Sequence, residues 1–141
     1  MRRNAIVLVV SSLIGSSAWA EQPPKKPYSE AFDNCMDLAA GVTSAMVSCA
    51  NDEYRRQEDR LNEAYLKVMA AADPDQKEEL RAAQHAWIAY RDTSCPLMRA
   101  LAVGSMGPVL SSSCLLQSTS ERVKYLRTLE ILLTGEVSST P

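Results

Sequence analysis

The stretch SAMVSCANDEYRRQEDRLNEAYLKVMAAA, residues 44–72, decides the fold. Its apolar residues return to one face at helical spacing, whereas the charged run YRRQEDR over 54–60 fills much of the other face. This periodicity predicts a long amphipathic helix over 44–72. Such a helix has to bury its apolar stripe against a neighbouring element.

Downstream, a second long helix is predicted from about Pro74 to Ala102. Asp73 is a suitable N-cap, and Pro74 suits the first helical position because its missing N–H would have no partner there. Pro96 lies inside this segment and removes one backbone hydrogen bond. We therefore expect the helix to kink or break near Cys95.

A last helix follows a glycine-rich corner. The segment GSMG, residues 104–107, predicts a flexible connection. Pro108 then begins a helix whose apolar residues continue to about residue 134. Ser118 and Glu121 have the spacing of a capping box, which favours a break in this helix near Gln117.

A short helix is predicted upstream over 29–40, with Ser29 as its N-cap and Gly41 as its terminator. Thr43 or Ser44 can cap the long helix that follows. No segment alternates with period two for long enough to make a strand. The predicted fold is therefore all-α, an irregular up-and-down bundle of four to five helices.

The first twenty residues have the features of a secretory signal peptide. Arg2 and Arg3 give a positive start, residues 5–14 are mostly apolar, and the tripeptide AWA over 18–20 places small residues at −3 and −1. The apolar stretch is too short for a membrane span, which needs about 20 residues. We expect cleavage after Ala20 and a periplasmic or secreted location.

Three segments are predicted beyond the signal peptide. Residues 21–28 are rich in proline and charge and are expected to form a flexible leader. Residues 29–134 are expected to form one helical domain, and residues 135–141 a flexible tail.

The four cysteines are Cys35, Cys49, Cys95 and Cys114. An even number of cysteines in an exported chain predicts two disulfides, and their wide spacing argues against a metal site. Cys35 and Cys49 lie at similar distances from the turn at Gly41, and the other two straddle the GSMG corner. Of the three possible connectivities, we therefore favour Cys35–Cys49 and Cys95–Cys114.

Charge excludes one class of partner. Without Arg2 and Arg3, 13 basic residues remain against 17 acidic ones, a net charge of about −4. A mildly acidic domain is a poor nucleic-acid binder, because phosphate affinity needs clustered positive charge. It can accept a basic protein as a partner.

Nothing in the sequence points to catalysis, a cofactor or a metal. His85 is the only histidine, and its position two residues from Trp87 predicts a surface residue. GSMGP lacks the lysine and the preceding strand of a phosphate-binding loop. The abundant carboxylates are expected on solvated helix faces: Asp52, Glu53, Glu58, Asp59, Glu63, Glu78 and Glu79.

Polar residues beside the apolar stripes are more informative. Gln84 and Arg91 share a helix face, and Asp92 follows Arg91. A guanidinium near the core must be paired, so we expect Arg91 to cross to the first long helix and pair with Asp59 or Asn62.

Two binding surfaces are alternatives to a purely structural role. Trp87, Tyr90 and Arg91 are residue types that dominate interface hot spots, although we favour the structural role for Arg91. Ser105 and Met106 lie in the GSMG corner, which a disulfide is expected to brace. A loop on a rigid scaffold is a suitable probe for the cleft of another protein, while the simpler alternative is a plain connection between helices.

Several segments together resemble the LprI-like family of small exported bacterial proteins. They are Cys35, MVSC ending at Cys49, LNEAYLKVM (61–69), QHAWIAYRDTSC (84–95), GSMGP (104–108) and CLLQSTSER (114–122). The resemblance implies a helical, disulfide-bonded fold and, as the family's named activity, lysozyme inhibition. We therefore expect a soluble periplasmic binding protein that occludes the cleft of a lysozyme-like muramidase. The alternative is a structural or stress-related cell-envelope protein that binds another protein or wall fragments.

Overall fold

The computed structural model describes residues 27–102 and 104–135. Within these ranges the chain forms four α-helices and one 3-10 turn, and no strand. The elements are α1 (Glu30–Ala39), α2 (Thr43–Ala71), α3 (Pro74–Leu101), the 3-10 turn (Gly104–Met106) and α4 (Gly107–Thr134). The predicted all-α bundle is confirmed. The predicted signal peptide, its cleavage after Ala20 and most of the leader and tail lie outside the described residues.

Helix starts follow local chemistry in one case and tertiary geometry in another. Asp73 accepts a hydrogen bond from the N–H of Gln76, and the Gln76 side chain accepts one from the N–H of Asp73, as predicted for the N-cap of α3. In contrast, α2 begins at Thr43 with Val42 as an N-cap that makes no side-chain bond. The predicted cap by Thr43 or Ser44 is wrong because the tight turn from α1 makes Thr43 helical already.

Neither long helix is broken where the sequence predicts a break. Helix α3 continues through Pro96 to Leu101, with Cys95 just before the proline fastened to α4 by its disulfide. Helix α4 continues through Gln117. The Gln117 side chain donates to Glu121 Oε1 at 3.0 Å, so Glu121 is not used in a capping box. Tertiary packing therefore overrides a local breaker signal in each helix.

The core lies between α2, α3 and α4. Its buried apolar side chains are Leu61, Ala64, Val68, Leu80, Val123 and Leu126. A leucine as deeply buried as Leu126, which has no exposed surface, contributes about 1.5–3 kcal/mol. Helix α4 packs against both α2 and α3, and the short α1 packs against α2.

The two predicted disulfides are confirmed, Cys35–Cys49 between α1 and α2 and Cys95–Cys114 between α3 and α4. Their sequence separations are 14 and 19 residues. In the chain-entropy model, each disulfide lowers the entropy of the unfolded chain and thereby stabilises the fold by about 3 kcal/mol. Arg91 of α3 contacts both Glu58 of α2 and Thr119 of α4, so these three residues are level in the bundle. This register places both disulfides in the half of the bundle that holds the α1–α2 and α3–α4 connections.

Helix α1 is fastened to α2 by the carboxylate of Glu53, whose side chain has no exposed surface. Ser29 donates to it through its backbone N–H at 3.1 Å and its hydroxyl at 2.6 Å. Arg56 and Gln57 donate at 2.7 and 2.9 Å. Burial by itself raises the pKa of Glu53, but these hydrogen bonds outweigh it and hold the pKa below its ordinary value. The expectation that Glu53 lies on a solvated face is wrong.

Candidate functional site

Arg91 joins the three long helices. Its residue is only 6% exposed, and its Nη1 donates to Glu58 Oε1 at 2.6 Å and to Thr119 Oγ1 at 3.2 Å. Its Nε donates to Asp92 Oδ1 at 2.9 Å. Burial opposes the charge, but the bonds to Asp92 and Glu58 outweigh it and raise the pKa of Arg91. The guanidinium is thus a charged cross-link between α2, α3 and α4.

The partner that Arg91 selects on α2 differs from the prediction. Glu58 takes the place expected for Asp59 or Asn62, both of which are exposed. Neighbouring residues on a helix differ by about 100° in direction, so Glu58 turns toward α3 where Asp59 does not. Gln84 forms its hydrogen bond with another cation, since its Oε1 accepts from Arg122 Nε at 3.0 Å.

Cations and aromatic rings alternate around Trp87. The Arg91 guanidinium carbon lies 4.8 Å from the Trp87 ring centroid and 5.6 Å from that of Tyr54. Arg122 lies 5.6 Å from the same Trp87 ring and 4.8 Å from the Tyr125 ring. Burial lowers the pKa of Arg122, and burial together with Glu58 raises the pKa of Tyr54 to about 12. Sequence reasoning missed Tyr54, Arg122 and Tyr125, although all three lie at helical spacing from core residues.

The predicted patch of Trp87, Tyr90 and Arg91 is not brought together as one surface. Tyr90 is 66% exposed, whereas Trp87 is half-buried against the core and Arg91 is buried. Arg91 therefore lacks the access that a partner would need. The geometry favours a structural role for Arg91.

The corner between α3 and α4 is a tightly built turn. The 3-10 turn over Gly104–Met106 leads directly into α4 at Gly107. Gly104 has φ +79°, which side-chain-bearing residues rarely adopt, and a Cβ on Gly107 would lie 2.9 Å from the carbonyl oxygen of Arg99. Ser105 and Met106 are both exposed. The predicted binding residues of the corner thus lie on a turn that backbone geometry and the nearby Cys95–Cys114 bridge define.

Several exposed apolar side chains lie on the elements that flank the corner, and we call them together the tip. The tip consists of Leu97, Met98, Leu101, Met106 and Leu110. Leu38 of the last turn of α1 and Val42 of the α1–α2 connection, also exposed, lie at the same end of the bundle by the register of the helices. Single exposed apolar residues are ordinary, but their concentration around one corner makes the tip a candidate interaction surface.

The sequence around the tip is almost free of charge. Between Asp92 and Glu121 the only charged residue is Arg99. The lack of charge in this segment, together with its many apolar residues, is visible in the sequence. It is the signal by which Leu97, Leu101 and Leu110 could be predicted as surface residues.

A second apolar feature lies at the opposite end of the bundle. It is a groove of about 370 Å³ between α2, α3 and α4. Leu80, Tyr125, Leu129 and Leu132 contribute to its lining, and Gln76 and Glu79 are its polar members. Tyr125 connects the groove to Arg122 and the Trp87 stack.

Residues 27–102 and 104–135 contain no group of three or more His, Cys, Asp or Glu side chains that could hold a metal ion. His85 is exposed on α3. None of the described helices is long and apolar enough to cross a membrane.

Fold and surface together define a class: a small all-α domain, braced by two disulfides, with an apolar tip. The sequence profile of the lysozyme inhibitor LprI family matches residues 35–126, and the chain belongs to that family. An uncharacterized protein of Rhizobium meliloti strain 1021 is 38% identical over 95 residues, which cover 57% of this chain and 68% of that protein. No solved structure matches the chain significantly.

Proposed function

We propose that this chain is an exported binding protein that inhibits a lysozyme-like muramidase by placing the tip in the cleft of the enzyme. The single observation that carries the proposal is the tip itself, five exposed apolar side chains around a disulfide-braced corner. Membership of the lysozyme inhibitor LprI family supports the class of target.

A rigid apolar corner suits the occlusion of a concave site. Binding clefts are concave and largely apolar, with a few polar groups that set specificity. The corner is held by Cys95–Cys114 and by the close approach of Gly107 to Arg99, so little conformational freedom is lost when it binds. Pre-organisation of this kind increases affinity because less entropy is lost on association.

The charge distribution supports a basic partner. The chain has 17 acidic and 15 basic residues, and none of the acids lies between Asp92 and Glu121. The acidic surplus is therefore distributed over the rest of the bundle, where it can attract a basic lysozyme over a distance without entering the contact. The tip then makes the short-range contact.

Export is part of the proposal. Two disulfides in a small domain favour an oxidising compartment, which agrees with a signal peptide that ends at Ala20. Mass spectrometry of the protein recovered from the exported fraction is expected to give a chain that begins at Glu21. A mature chain that retains residues 1–20 would contradict this part of the proposal.

The inhibitory function is tested by the lysis of bacterial cells by an animal-type lysozyme, followed as turbidity. The mature protein is expected to inhibit at micromolar concentration. Leu101→Gln removes apolar contact area from the tip and is expected to weaken inhibition at least about tenfold. Leu132→Gln is the matched control, since Leu101 and Leu132 are 79% and 75% exposed at opposite ends of the bundle.

Three results would contradict the proposal. No inhibition of any lysozyme class would favour the envelope protein that binds another partner or wall fragments. Equal weakening by Leu101→Gln and Leu132→Gln would show that the tip is not the contact. Cleavage of cell walls by the protein alone would make it an enzyme.

A further inference from the structure

Arg99 is the one charged residue between Asp92 and Glu121, the segment that contains the tip. It lies in the last turn of α3, is exposed, and is followed by the exposed Leu101. The Arg99 backbone packs against Gly107, the first residue of α4. A Cβ atom added to Gly107 would lie 3.3 Å from the Arg99 Cα. No acid of the described residues lies within ion-pair distance of Arg99.

A structural role explains only part of this placement. A cation in the last helical turn interacts favourably with the C-terminal end of the helix dipole. That interaction does not require the cation to be the one charge of a charge-poor segment. Two cations that lie beside core side chains, Arg91 and Arg122, are instead stacked on aromatic rings.

The chemistry of the target supplies the missing partner. Enzymes that hydrolyse glycosidic bonds with retention carry two carboxyl groups about 5–5.5 Å apart in the cleft. At neutral pH at least one of them is ionised. A guanidinium recognises a carboxylate through two parallel hydrogen bonds, and such a pair is stronger where water is excluded.

We propose that Arg99 enters the cleft of the muramidase and pairs with its catalytic carboxylates, while the apolar side chains of the tip exclude water around the pair. This inference rests on the proposed function and adds the partner group. Arg99 is then the residue that directs the protein to glycosidases with a carboxylate pair, and the apolar tip supplies the surrounding contact.

The test is a double-mutant cycle with an animal-type lysozyme, measured by calorimetry as a dissociation constant. Arg99→Gln is expected to weaken binding to the wild-type enzyme at least about 30-fold, the usual range for loss of one partner of a buried charged pair. Arg99→Lys keeps the charge and is expected to lose less. Arg81→Gln is the control, since it removes the same exposed charge from α3 about 27 Å away.

The second arm of the cycle uses a lysozyme whose two catalytic carboxylates are replaced by amides. Wild-type protein and Arg99→Gln are expected to bind this enzyme with equal affinity, because the partner charge is gone. Tight binding by the wild type with less than a twofold effect of Arg99→Gln overturns the inference and leaves the proposed function standing. The same loss on both enzymes overturns it too, since Arg99 would then contact another group. Absence of binding by the wild-type protein overturns the proposed function and this inference with it.

Discussion

The carbonyl oxygen of Arg99 lies 2.9 Å from the position that a Cβ atom on Gly107 would occupy. The last turn of α3 and the first residue of α4 therefore approach as closely as a glycine allows. This contact fixes the direction in which the corner leaves the bundle. It also joins Arg99, the one charged residue between Asp92 and Glu121, to the start of α4.

Gly107→Ala is expected to destabilise the protein by about 1–3 kcal/mol, because the new methyl group meets backbone that cannot rotate away. The corner would have to open, so inhibition of lysozyme should weaken as well. Urea unfolding and the turbidity assay measure the two effects. Ser113→Ala, at an exposed position on α4, is expected to change stability by less than about 0.5 kcal/mol. Equal stability of Gly107→Ala and Ser113→Ala would contradict the close approach.

The two disulfides provide a comparison within one molecule. Replacing Cys95 and Cys114 by serine opens one disulfide-closed loop, and replacing Cys35 and Cys49 by serine opens another of similar length. Each change should therefore lower the free energy of unfolding by about 3 kcal/mol. Inhibition below the melting temperature of both variants should decrease strongly only for the Cys95 and Cys114 pair, which braces the tip. An equal decrease in inhibition for both pairs would show that inhibition does not depend on the structure of the corner.

Arg91→Met is expected to lower the free energy of unfolding by about 2–3 kcal/mol, because it removes charged hydrogen bonds and leaves the buried Thr119 hydroxyl without its donor. Arg81→Met, at an exposed site on the same helix, is the control. Denaturant titration measures both variants. Unchanged stability with lost lysozyme binding would instead make Arg91 a contact residue.

The Glu53 carboxylate makes the stability of the folded protein decrease at acid pH. Its pKa is lowered in the folded protein from an ordinary value of 4.5, so its contribution is present above about pH 4.5 and is lost as the pH falls through the folded-state pKa. The wild type should therefore exceed Glu53→Gln in stability at pH 7, and the difference should shrink toward pH 3. Thermal melting at several pH values measures it.

Glu63→Gln controls for general charge effects. The pKa of Glu63 is also lowered, through its hydrogen bond with Lys67, but the pair is exposed and screened by solvent. Its effect should be small at every pH. A difference between wild type and Glu53→Gln that is the same at pH 3 and pH 7 would refute the role of the Glu53 carboxylate.

The sequence was sufficient where local chemistry decides the structure. The apolar period of 44–72, the Asp73 cap and the short distances between paired cysteines predict α2, the start of α3 and both disulfides correctly. Each of these signals involves residues that are close along the chain. Long-range packing does not change them.

Sequence reasoning failed where neighbouring helices decide. Pro96 and Ser118 carry breaker signals, yet packing and the Cys95–Cys114 bridge keep both helices continuous. The partner of Arg91 depends on the rotation of α2, which no local pattern reveals, so the sequence predicts a solvated Glu58. In the sequence, Glu53 cannot be distinguished from exposed acids such as Asp52. Its burial depends on the packing of α1 and its N-cap Ser29 against α2.

The most direct test of the central claim is a map of the lysozyme contact by amide chemical shifts, recorded as the labelled mature protein is titrated with an animal-type lysozyme. The proposed function predicts that the shifts concentrate between Cys95 and Leu110, including Arg99 and Met106. Shifts concentrated at the groove around Leu80 and Leu132, with the Cys95–Leu110 segment unchanged, would contradict it.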